Sequence, residues 1–66
     1  MTQRDKEVLV AFAENSMNVS LTSRKLYMHR NTVEYHLQKV IRETGLNPYN
    51  LFELAELLGL KRSDTE

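Results

Sequence analysis

The stretch LYMHRNTVEYHLQKV, residues 26–40, concentrates side chains that recognise anions and the hydrogen-bonding edges of flat ligands. His29, Arg30, Asn31, Thr32, Tyr35, His36 and Lys39 all fall within it, and Arg42 follows just beyond. A guanidinium such as Arg30 can fork onto a phosphate or onto guanine. A threonine hydroxyl beside helix N-terminal amides can take a phosphate oxygen. Tyr35 can reach a phosphate with its hydroxyl or pack on a thymine methyl. Glu34, the one acid, can accept from a cytosine amine or pair with Arg30 and weaken binding. Other chemistry is a poor fit. His29 and His36 have no carboxylate at metal-ligand spacing, so no metal site is expected. No serine or threonine stands beside a base and its orienter, no glycine-rich phosphate loop occurs, and no acid pair is placed for proton transfer. The expectation is therefore no enzyme and no cofactor. Two readings remain, a nucleic-acid surface and a plain solvated helix face.

Charge location favours the first. The 66 residues carry no net charge, with nine basic and nine acidic side chains. Their distribution is uneven. Residues 20–42 hold Arg24, Lys25, Arg30, Lys39 and Arg42 against Glu34 alone, a local charge of +4. The first nineteen residues contribute −1, residues 43–58 contribute −3, and the tail from Gly59 is balanced. A neutral total thus conceals a dipolar molecule whose positive end coincides with the recognition chemistry. Arg24 and Lys25 serve equally well as phosphate contacts or as solvated charges. A face selected for solubility alone would more often mix Glu with Lys.

These residues must be positioned by helices. Sixty-six residues make one small domain. Cysteine is absent, which removes disulfides and thiolate metal sites and fits a cytoplasmic protein. The longest apolar runs fall far short of the ~20 residues that span a bilayer, and no signal peptide is visible. The spacing predicts an all-α domain of four short helices, at about 3–14, 20–27, 31–44 and 48–58. Thr2 caps the first, where Val8, Leu9, Phe12 and Ala13 share a face. Ser20 is expected to cap the second, which buries Leu26 and Leu21. Asn31 is expected to cap the third, and Gly45 to end it in a left-handed conformation. Val33, Leu37, Val40, Ile41 and Thr44 form its apolar stripe. Thr32, Tyr35, Lys39 and Arg42 project oppositely, with Gln38 and His36 on the flanks. The fourth helix opens at NPYN, either with Pro48 in its first turn or with Asn50 and Glu53 as a capping box. It turns Leu51, Leu54, Ala55 and Leu58 inward, and Gly59 closes it. Phe12, Leu37, Ile41, Leu54 and Leu58 are the expected core. A short helix, a tight turn and a longer helix is the arrangement of a helix-turn-helix, with Met28 able to anchor the turn. Tyr27 is expected to pack half-buried, and His29 to cap or pack at the turn or else to contact DNA.

The block HRNTVEYHLQKV resembles HRNTLRYRLERI of the C-terminal helix-turn-helix domain of PucR-type bacterial transcription regulators, which include purine-catabolism and carbohydrate-diacid regulators. NVSLTSRKLYMHRNT and ETGLN are similar to further parts of that domain, so the resemblance covers about residues 5–60. It implies a Fis-like four-helix fold at the C-terminal end of a longer regulator with a sensory domain upstream. It also implies DNA contact by Arg30, Asn31, Thr32 and Tyr35, at the start of the recognition helix. Glu34 and His36 stand where the family commonly has arginine, and Leu21, Ser23 and Lys25 where small alanines are usual.

The DNA-binding set expected is therefore Arg24, His29, Arg30, Asn31, Thr32, Glu34, Tyr35, His36, Lys39 and Arg42. The partner is double-stranded DNA, without a membrane, and symmetric operators favour a homodimer within the longer protein. The competing reading is a helical protein-interaction or dimerisation module with no nucleic-acid role. Its support is surplus apolar surface at Val10, Phe52, Leu57 and Leu60.

Overall fold

The computed structural model describes residues 1–59, and within them the chain is all-helical, without strands. Four helices follow in order: α1 Gln3–Glu14, α2 Val19–Leu26, α3 Arg30–Thr44 and α4 Leu51–Leu57. None is long and apolar enough to cross a membrane. Leu60 and the charged tail lie outside the described residues.

α1 begins as its sequence dictates. The Thr2 hydroxyl accepts from the Asp5 amide, and the Asp5 carboxylate accepts from the Thr2 amide, a reciprocal capping box. Its apolar face delivers Val8, Leu9 and Phe12 to the core, where they meet Val33, Leu37 and Val40 of α3 and Leu54 of α4. Each such burial contributes about 1.5–3 kcal/mol. α1, α2 and α3 pack against one another in all three pairings. α4 joins them through Leu54, with Leu57 and Leu58 packed at the core's edge.

Several boundaries differ from the spacing-based expectation, each for a local reason. Asn18, not Ser20, caps α2, because its side chain accepts from the Leu21 amide. That earlier start moves the inward face to Thr22, Ser23 and Leu26 and leaves Leu21 exposed. Buried Thr22 and Ser23 bond their hydroxyls back to the Asn18 and Ser20 carbonyls, so neither is unsatisfied. Of Leu21, Ser23 and Lys25, only Ser23 points inward, while Leu21 and Lys25 lie on the exposed side.

The third helix starts one residue early as well. His29, not Asn31, is its cap, and the ring Nδ1 accepts from the Asn31 amide at 2.9 Å. Gly45 ends the helix at φ 78°, its amide donating to the Ile41 carbonyl. Thr44 is exposed with its hydroxyl bonded back to Val40, and Ile41 is half-buried. Residues 47–50 form their own turn around a buried Pro48, so α4 starts at Leu51 rather than near 48. Asn50 accepts from the Phe52 and Glu53 amides. Glu53 reaches back past Asn50 to the Asn47 amide, and the capping box is not reciprocal. With Leu51 in the first position it faces solvent, 62% exposed, and Leu54 alone of this helix is fully inward.

The candidate nucleic-acid interface

α2 and α3 are joined by three residues, Tyr27, Met28 and His29. Tyr27 closes α2 in the left-handed region at φ 54°, its amide bonded to the Arg24 carbonyl. The next amide, from Met28, donates to the Ser23 carbonyl, completing a Schellman motif. That geometry swings the chain back so that Met28 packs against the core and pins the turn. It also throws Tyr27 outward. The ring is 96% exposed, contrary to the half-buried packing expected of it. The outcome is a helix-turn-helix whose second helix projects its N-terminal turn into solvent.

The expected site residues fall into three groups. Arg24, His29 and Arg30 line one open hollow with Ser20 and Ser23, between α2 and the start of α3. Two guanidiniums, an imidazole and two serines around one depression make a surface suited to an anion. Arg30 and Asn31 occupy the first two positions of α3 and Thr32 the third, all exposed. Because His29 performs the capping, the Asn31 side chain is released from that task.

A second group forms an outward row one helical turn apart. Asn31, Tyr35, Gln38 and Arg42 are all exposed, at the i, i+4, i+7 spacing of one helix face. The Tyr35 ring stands edge-on to His36, with centroids 5.5 Å apart and planes at 72°. Gln38 belongs to this row although helical spacing puts it on a flank. Its exposure follows from which flank of α3 the neighbouring helix covers, which spacing alone does not give.

The third group is turned aside. His36 and Lys39 both reach Asp5 of α1, whose side chain is fully buried. His36 Nδ1 lies 2.6 Å from Asp5 Oδ1, and Lys39 Nζ 3.4 Å from Oδ2. A carboxylate only accepts, so the His36 Nδ1 carries the proton and donates. Burial alone would raise the Asp5 pKa. The His36 hydrogen bond, the Thr2 amide and hydroxyl, and Lys39 outweigh it and hold the carboxyl far below the usual carboxylate range. Lys39, expected on the outward face, therefore lies against α1. Glu34 is exposed. Tyr49 has a raised pKa, first through burial and then through the negative charge of Glu34. Among the described residues Glu34 makes no ion pair with Arg30. Sequence reasoning missed the Asp5 cluster. The Thr2–Asp5 spacing marks the cap, but nothing in the local pattern links Asp5 to a residue 31 positions away.

Comparison with known proteins fits this geometry. Residues 6–60 match the family described as the PucR C-terminal helix-turn-helix domain. A 42-residue stretch is 38% identical to the uncharacterized protein YxkF of Bacillus subtilis (strain 168). That stretch is 64% of this chain and 14% of YxkF. No solved structure matches the chain significantly.

Proposed function

This chain belongs to the PucR C-terminal helix-turn-helix family, and from that membership we propose that it binds double-stranded DNA sequence-specifically, as the reading domain of a bacterial transcription regulator. α3 enters the major groove, and α2 lies across it and holds the backbone. The observation that carries this reading is the outward row Asn31, Tyr35, Gln38 and Arg42, exposed on the second helix of a helix-turn-helix. Among the described residues none of the four belongs to the core cluster or packs against it.

Direct contact is assigned to seven of the residues expected from sequence. Arg24, His29 and Arg30 take backbone phosphate at the hollow between α2 and α3. Arg30, Asn31, Thr32 and Tyr35 reach base edges or the adjoining phosphates from the first turns of α3. Arg42 supplies attraction further along the groove. Gln38 joins them, since an amide pairs well with adenine. His36 and Lys39 are engaged with Asp5 and are left out of the contact set, as is Glu34, an acid that a polyanion repels.

The matched stretch spans 14% of the YxkF relative. We propose accordingly that the domain works within a longer cytoplasmic regulator, with a sensory part upstream and a second copy completing a two-half-site reader. The alternative, an interaction module without nucleic acid, draws on Phe52 and Leu51, exposed together on α4. Such a patch is compatible with DNA binding on the opposite chemistry of α3. Anisotropy titration of a labelled duplex across a range of salt tests the proposal. DNA binding predicts affinity that falls steeply with salt, and an Arg30→Ala loss of about 1–3 kcal/mol on a cognate site. Binding absent at low salt would refute it.

A further inference from the structure

We propose that Asp5 is a positioning residue for DNA recognition, one that withholds Lys39 and His36 from the nucleic acid and so decides which cations α3 presents. The inference rests on the DNA-binding reading above and goes beyond it, because Asp5 lies on α1, outside the helix-turn-helix.

Three observations meet at this residue. Asp5 is fully buried, yet it is a carboxylate. Its Oδ1 is 2.6 Å from His36 Nδ1, while Oδ2 accepts from the Thr2 amide at 2.9 Å and lies 3.4 Å from Lys39 Nζ. His36 and Lys39 are one turn apart on α3, so both anchors act on the helix that carries the outward row. Taking a carboxylate out of water is costly unless its lone pairs are met, and each partner here meets part of that demand. Lys39 cannot reach a phosphate without stripping a charge from a buried site. Its side chain is only 22% exposed, against the open Arg42 one turn on. His36 is held in one orientation by the same carboxylate and lays its ring against Tyr35. Asp5 thus acts at DNA through Tyr35, by fixing the ring that packs beside it. The formal charge of +4 over residues 20–42 overstates what DNA meets, since one of its cations faces inward to an acid from α1.

Salt dependence separates this role from a merely structural one. Each phosphate neutralised adds about 0.9 to the slope of log affinity against log salt on duplex DNA. The test measures that slope for the full chain on a random-sequence duplex, with far-UV circular dichroism checking each variant's fold. Arg42→Gln is expected to lower the slope by about 0.9, and Lys39→Gln to leave it at the wild-type value. Asp5→Asn is expected to raise it by about the same step, through release of Lys39, and Asp5→Asn with Lys39→Gln to restore it. The double variant assigns a gain in Asp5→Asn to Lys39, because a loss of stability alone would persist when Lys39 is also replaced. If Asp5→Asn fails to fold, the comparison of Lys39→Gln with Arg42→Gln still decides. Equal slope losses in those two variants would put Lys39 on phosphate and overturn the proposal, with DNA binding itself intact. Wild-type protein that binds no duplex at low salt would overturn the underlying reading instead.

Discussion

Two histidines seven residues apart use the same ring nitrogen in opposite ways. His29 Nδ1 accepts from the Asn31 amide, whereas His36 Nδ1 donates to Asp5. The first role makes His29 a helix cap and frees Asn31 for other work. Stability should therefore depend on His29 and not on Asn31. His29→Ala is expected to lower unfolding free energy by about 0.5–2 kcal/mol, the usual cost of a lost cap. Asn31→Ala is expected to leave thermal stability nearly unchanged and to weaken DNA binding. Paired melting curves and binding isotherms check both, and a destabilised Asn31→Ala would return the cap to Asn31. Tyr27 offers a third contrast. A tyrosine at φ 54° is strained where glycine is at ease. Its exposed ring gains no packing in return. Tyr27→Gly is expected to leave the melting temperature unchanged or raise it, by up to about 1 kcal/mol of added stability. A clear loss would mean that the ring makes a stabilising contact.

Elements were legible to the extent that their causes are local. The Thr2 cap, the Gly45 stop and the α3 stripe of Val33, Leu37 and Val40 all depend on residues within a turn or two. The helix-turn-helix is equally readable, because a short helix, Met28 and a long helix follow in sequence. What escaped has tertiary causes. The start of α4 moved because Pro48 is buried in a turn under α1, where Tyr49 meets Phe12 edge-on at 5.5 Å. Leu51 was misplaced with it. Lys39 was misplaced because only the packed fold brings Asp5 beside it. The α1–α3 link has its own consequence in acid. An unfolded Asp binds its proton near pH ~4, while folded Asp5 binds it at much lower pH. Between those values the unfolded state holds more protons, so this contribution is complete above the ordinary carboxylate range and drains away as pH falls. Acid titration of stability should show a limb below about pH 4 that is flattened in Asp5→Asn, which also loses about 1–3 kcal/mol at neutral pH. An identical acid limb in the variant would remove Asp5 from the linkage.

At the scale of the whole molecule, zero net charge conceals an uneven distribution along the chain. The α2–α3 pair is basic, while Glu53 and Glu56 make α4 acidic. Such a distribution favours approach of a polyanion to the basic helix-turn-helix over the acidic α4. Exposed Leu51 and Phe52 lie on α4, outside the helix-turn-helix. Amide chemical-shift mapping against a DNA duplex at low salt probes this arrangement most directly. Recognition by α3 predicts shifts concentrated at residues 29–32, Tyr35, Gln38 and Arg42, with Arg24 moving beside them. Shifts confined to α4, with residues 29–42 unmoved, would contradict it.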